Sequence, residues 1–237
     1  MKKALIFYGG WSGHDPERVS RRFEGILARH GFAVDRTEGL EVLAEGERLL
    51  SYDLIVPCYT MGTLPHDCEK NVSYAVSRGT GLAGCHGGMC DAFRNSTEWQ
   101  FITGGQWVSH PGNSNVTYTV SICHGANPIT DGIVDFSLTS EQYYLHVDPA
   151  VEVLATTQFP IFRSYHAANK PIDMPVAWTK YWGLGRVFYC SIGHNDAVFD
   201  ACPSALTLIE RGMLWAAEGK RLAKENGLDA SSFENGN

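Results

Sequence analysis

The sequence predicts an α/β protein built on a doubly wound, mostly parallel sheet. Ala4-Leu5-Ile6-Phe7-Tyr8 is an unbroken apolar run, as expected of a strand covered on both faces. Runs of this kind alternate with helical stripes through the first third of the chain, which implies right-handed crossovers between parallel strands. The third observation is Gly81-Leu82-Ala83-Gly84-Cys85-His86-Gly87-Gly88-Met89-Cys90-Asp91, where an apolar run stops at glycines with a thiol and an imidazole side by side. A strand that turns sharply into a helix at small residues is the arrangement of a nucleophile elbow.

Taken in order, the first strand is followed by the loop Gly9 to His14. Asp15 and Pro16 then read as N-cap and first residue of a helix whose apolar face is Val19, Phe23, Ile26 and Leu27, up to Gly31. Phe32 to Arg36 reads as the second strand, Glu45 to Leu50 as a short helix, and Tyr52 to Val56 as the third strand, stopped by Pro57. Pro65 opens another helix, with Asp67 and Glu69 in its first turn to complement the dipole, and Arg78-Gly79 closes it. Leu82 to Cys85 is the fourth strand.

Beyond Asp91 the texture changes. The segment with Trp99, Phe101 and Trp107, rich in Gly, Asn and His up to Asn115, reads as an ordered loop region, followed by β-rich runs at Val116 to Ile122, Phe136 to Leu145 and Val151 to Thr157. Met174 to Tyr181 and Arg186 to Ser191 form a hairpin across the turn glycines of Trp182-Gly183-Leu184-Gly185. Pro203 opens a last helix with the stripe Leu206, Ile209, Met213 and Ala216. A single domain over residues 1–220 and a polar C-terminal tail over 221–237 follow from this pattern.

Composition narrows the function classes. With 44% hydrophobic residues, 19% charged residues and a formal charge of -7 in 237 residues, the chain is globular, with no electrostatic surface for nucleic acid or an anionic membrane. The first apolar run is too short for a signal peptide or a membrane span. Seven cysteines, none in a C-x-x-C pair and several inside apolar runs, indicate reduced core thiols and a cytoplasmic protein. A small or neutral partner is expected, and the exposed apolar and aromatic content of the loop region suggests a homo-oligomer.

In open α/β sheets ligands bind beyond the carboxyl ends of the strands. The loops converging there hold Trp11 and His14, Tyr59 and Thr60, His86, and His194 with Asp196. His30, His66, His124 and His166 fall at a helix end, in a first turn or in turn-like segments, outside that set, whereas His110 and His146 stay open. The elbow has two registers. With Cys85 at the tip, the chain resembles a class I glutamine amidotransferase, the late pair His194 and Asp196 activating a thiolate for attack on an amide. Ala83 departs from the glycine those enzymes carry two positions before the cysteine.

With His86 at the tip, a second resemblance covers far more of the chain, roughly residues 4 to 217. Its pieces are Gly9-Gly10 with His14-Asp15, Gly84-Cys85-His86, Gly104-Gly105 leading to His110-Pro111, Ser140-Glu141-Gln142-Tyr143, Pro175 to Thr179, Gly185 to Tyr189, Gly193-His194 and Gly212 to Ala216. In this order they are similar to the ThuA-like, or trehalose-utilization, family, whose fold is class I glutamine amidotransferase-like, that is flavodoxin-like, with histidine at the elbow. The resemblance implies a carbohydrate-metabolism protein acting on sugars such as trehalose or an oxidised derivative.

On that reading His86 is an acid/base group, with His194 as its partner held by Asp196, in hydrolysis, isomerisation or elimination at a glycoside or keto-sugar. Trp11, His14, His110, Glu141 and Tyr143 are the candidate sugar contacts, with Trp107 as a further flat face. Imidazoles and carboxylates together also suit a divalent metal such as zinc, with His86, His110 and His194 as candidate ligands, although no short ligand spacing marks such a site. A cysteine-dependent amidase and a non-catalytic sugar-binding module are the competing readings.

Overall fold

The computed structural model describes residues 1–123, 125 and 127–233. His124, placed in a turn by the sequence, lies outside the described residues. Strand β1 (Lys3–Gly10) sends Ala4 and Ile6 into one apolar cluster and Leu5 and Phe7 into another, on the opposite face of the sheet. This period-two alternation, buried on both sides, is why the run carries no polar residue. Helix α1 (Pro16–Arg29) covers the first face with Val19, Phe23, Ile26 and Leu27. Truncating Phe23 to alanine there would cost about 3–5 kcal/mol, because the cavity adds to the lost transfer energy.

Strand β2 (Ala33–Glu38), helix α2 (Gly46–Leu50), strand β3 (Leu54–Thr60), helix α3 (His66–Ser77) and strand β4 (Gly81–Cys85) continue the alternation. The elbow opens the short helix α4 (Gly87–Cys90). Past it come helix α5 (Thr97–Thr103) and strand β5 (Gly105–Ser109), where the sequence suggested only an ordered loop; Ser96 caps α5 by accepting from the Trp99 N–H at 2.9 Å. Strands β6 (Val116–Ile122), β7 (Phe136–Ser140), β8 (Tyr144–Val147), β9 (Glu152–Phe159), β10 (Ile172–Trp182) and β11 (Gly185–Cys190) follow, with β10 and β11 forming the expected hairpin. Helices α6 (Ala197–Ala201), α7 (Pro203–Ala216) and α8 (Gly219–Glu225) follow the last strand.

The main sheet has nine strands in the order β2-β1-β3-β4-β11-β10-β9-β6-β7, and β5 pairs with β8 apart from it. Pairings from β2 to β11 are parallel and those from β11 to β7 antiparallel. The parallel half therefore has the doubly wound 2-1-3-4-5 order, with its topological switch between β1 and β3. The remaining strands form an antiparallel wing.

Two sequence expectations change. Pro57 does not stop the third strand, which runs on to Thr60 beside β1, with Phe7 opposite Pro57. The ladder from β3 to β4 is confined to Leu54 and Ile55, so the two strands part before the proline, and α4 fills the gap with Gly88 against Pro57 and Cys58. The run from Phe136 to Leu145 is two strands, interrupted at Glu141-Gln142-Tyr143. Helix α8 spans residue 220, where Lys220 donates to the carbonyls of Leu50 and Tyr52, and it buries Ala223.

Candidate functional site

His86 holds a backbone conformation that its residue type rarely adopts, with φ 48° and ψ -140°. Such a geometry costs of order 1–3 kcal/mol and survives only where the surroundings over-determine it. Here they do. The His86 N–H donates to the Cys190 carbonyl at 2.8 Å, and the Tyr189 hydroxyl donates to the His86 carbonyl at 3.2 Å. The imidazole Nδ1 lies 2.8 Å from the Ser191 carbonyl. A carbonyl only accepts, so Nδ1 carries the proton, and in the neutral ring Nε2 keeps its lone pair. That lone pair faces Glu141 Oε2 at 3.1 Å.

Glu141 reaches this point because the polypeptide leaves the pleat between β7 and β8. Two more imidazoles approach the same oxygen: His194 Nδ1 at 3.3 Å from the loop after β11, and His14 Nε2 at 3.9 Å from the loop after β1. His14 Nδ1 is in turn 3.0 Å from the Thr60 hydroxyl at the end of β3. The close approach of His14 to the elbow needs glycine at position 87, where a Cβ would stand 2.4 Å from the ring. The four groups stand at the carboxyl ends of the parallel strands, beside the β1/β3 switch.

Burial sets the electrostatics. It pushes His14 down to about 3, helped by the neighbouring His86 and His194, and it lowers His86 against the opposing pull of Glu141. Burial works to raise the Glu141 carboxyl, but the imidazoles of His194 and His86 overcome it and hold it well below the usual carboxylate range. Near neutral pH Glu141 is thus a carboxylate, and the imidazoles of His14 and His86 beside it are uncharged. His194 Nδ1 is buried without a hydrogen-bond partner, close to Oε2 but off the line of a bond.

The other sequence candidates divide. Tyr143 is not a face open to a sugar: it is 2% exposed and stacks on His86, centroids 3.9 Å apart. Trp11 is 46% exposed and meets His14 edge-on at 4.7 Å, at the mouth of the site. His110 stands farther out, with Nδ1 4.0 Å from Glu141 Oε1, so the ring of donors contains His14 where the sequence pointed to His110. Trp107 tilts against His110 and carries the Arg94 guanidinium 4.3 Å above its ring.

Asp196 does not hold His194. It accepts two hydrogen bonds from Arg22, at 2.6 and 2.9 Å, fastening the loop after β11 to α1. The Cys85 thiol is buried in the core cluster, and burial raises it well above its ordinary value, the opposite of what an activated thiolate needs. Among the remaining described histidines, His30 pairs with Glu210, His66 with Glu69, and His166 packs on Tyr144, while His146 is exposed on β8. Sequence reasoning missed the Ser191 carbonyl and Arg22, which no local pattern signals.

The profile of the family described as trehalose utilisation, ThuA, matches residues 3–216. The chain belongs to the ThuA family. Among solved structures, a putative ThuA-like protein of Parabacteroides merdae superposes with TM-score 0.73 at 19% identity, covering 93% of this chain and 91% of that one. One from Bacteroides uniformis gives TM-score 0.70 at 16% identity, with 97% and 94% covered. A protein of Salmonella typhimurium LT2 described as cytoplasmic gives 0.62 at 14%, with 92% and 98% covered. No curated protein sequence matches the chain significantly. At these identities the structural likeness establishes the fold, and ThuA membership rests on the profile. No helix among the described residues is long and apolar enough to cross a membrane.

Proposed function

We propose that this ThuA-family chain acts on a carbohydrate by acid–base chemistry, at the centre built on His86 and Glu141. The observation that carries the reading is a single buried carboxylate oxygen approached by three imidazoles, beneath one exposed tryptophan. An uncharged imidazole held beside a fixed carboxylate is suited to moving a proton at a hydroxyl, a glycosidic oxygen or a carbon next to a keto group. Trp11 offers an apolar face of the kind that a sugar ring covers. Family membership in trehalose utilisation supports the substrate class. A groove of about 480 Å³ opens beside His194, lined by Ser140, Asn195 and Cys202 among others, with room for part of a sugar.

The test incubates the protein with trehalose and with its keto derivative and follows the sugar by proton NMR. Consumption of either by the wild type, and none by His86→Ala with sugar affinity retained, is the expected result. Tight binding with no product would replace an enzyme with a sugar-binding module, and turnover unchanged in His86→Ala would remove the centre from the chemistry.

A further inference from the structure

We propose that His14, His86, Glu141 and His194 bind a divalent first-row transition metal ion, each through one side-chain atom. The four donor atoms all lie within 4.8 Å of one another. Around Glu141 Oε2 the imidazole nitrogens stand at 3.1, 3.3 and 3.9 Å. A tetrahedral zinc site with bonds of about 2.0–2.1 Å sets its ligands about 3.4 Å apart, so the cluster needs only small shifts to close on an ion.

The state of the donors points the same way. With Nδ1–H of His86 committed to the Ser191 carbonyl, the Nε2 lone pair faces a carboxylate oxygen at 3.1 Å. Two acceptors in that position repel one another unless something positive sits between them. His194 Nδ1 is likewise buried next to the same oxygen with no hydrogen-bond partner. A polar cluster that served only to join strands would have its members paired, because an unsatisfied buried group costs about 1–3 kcal/mol.

The outer contacts have the form that metal sites use. A ligating histidine donates its second nitrogen to a carbonyl, carboxylate or water, which fixes the tautomer and the ring. His86 does this to Ser191, and the Thr60 hydroxyl stands 3.0 Å from Nδ1 of His14. Three imidazoles and one carboxylate, with no thiolate among them, suit zinc, iron, cobalt or manganese. Cys58 and Cys85 are close in sequence to Thr60 and His86 but point into the core cluster. The inference rests on the reading above only for where the chemistry happens, and it gives His86 the role of ligand.

The experiment loads apo protein, stripped with chelator, with cobalt(II) and then zinc(II). It reads metal per chain after gel filtration, and the visible absorption of cobalt. One ion per chain, intense four- or five-coordinate cobalt bands, and their displacement by zinc are expected. Glu141→Gln and His194→Ala should each weaken binding by more than 100-fold, and Thr60→Val by about 10–100-fold. His110→Ala should still hold one ion. Circular dichroism of each apo variant checks that it folds, and a rise in the wild-type melting temperature with zinc gives a readout that needs no variant.

A wild type that retains no ion and shows neither cobalt bands nor a zinc-induced shift overturns the inference, as does full stoichiometry in Glu141→Gln/His194→Ala. None of these readings involves sugar. Metal bound without sugar turnover would leave the inference standing and remove the proposed function, while sugar turnover by a wild type that binds no ion would do the reverse.

Discussion

The ring of Tyr143 lies against the imidazole of His86, centroids 3.9 Å apart and planes 27° from parallel. Together with the hydrogen bond to the Ser191 carbonyl it holds the imidazole in its orientation. Tyr143→Phe should therefore keep both fold and site. Tyr143→Ala should cost about 3–5 kcal/mol in a urea titration, the range for removing a buried aromatic ring. Equal stability for the two variants would mean that the stack does not hold His86.

Arg22 and Asp196 provide the second expectation. The pair is partly buried and bidentate, and it ties α1 to the segment that carries His194. Arg22→Ala should lose about 2 kcal/mol, as for hydrogen bonds to charged groups. A double-mutant cycle with Asp196→Asn should show that the two losses do not add. Additive losses would place the two residues in separate roles.

Substitution of Gly87 tests the approach of His14. An added methyl would stand 2.4 Å from the imidazole, so Gly87→Ala should displace His14 at a cost of about 1–3 kcal/mol while leaving the sheet intact. Crystallography of the variant, or loss of the cobalt bands, reads the displacement.

The thiols give a fourth expectation. Cys85 and Cys190 are buried and burial raises both, whereas Cys123 is half-buried. Native protein treated with iodoacetamide should be labelled at Cys123 first, and at Cys85 only after unfolding. Early labelling of Cys85 would revive the amidase reading.

The acid limb of the stability curve should carry the mark of Asp35. The Tyr52 hydroxyl, 2.5 Å away, and Arg48 hold its carboxyl below the usual range against a smaller opposing effect of burial. A depressed native carboxyl contributes stability that is complete above the unfolded value, about 3.9, and is lost as pH falls through the native one. Asp35→Asn should flatten that limb below about pH 4 and leave the slope near pH 7 unchanged; a slope altered near neutrality would contradict the assignment.

Strands covered on both faces were legible because nothing polar interrupts them, and the hairpin was legible from its turn glycines. The elbow histidine could be found for the same reason, since glycines crowd around it. Glu141 was harder to place. Within Phe136 to Leu145 the residues keep the composition of one strand, and the departure at Glu141-Gln142-Tyr143 is dictated by what the carboxylate meets in space, not by a local breaker. The sequence placed His14 among the converging loops and left His110 open, yet it pointed to His110 as the metal candidate, because which of them faces Oε2 depends on how two distant loops fold over the sheet. Asp196, two residues from His194, suggested a partnership that the α1 guanidinium pre-empts.

The donors of the centre come from positions 14, 86, 141 and 194, each in a different loop at the end of a different strand. No contiguous fragment of the chain holds them all unless it contains nearly the whole domain. A chain nicked in the exposed stretch around Tyr165 would therefore keep the centre only while its two pieces stay docked. The centre is the part of the molecule that reports whether the entire sheet has assembled.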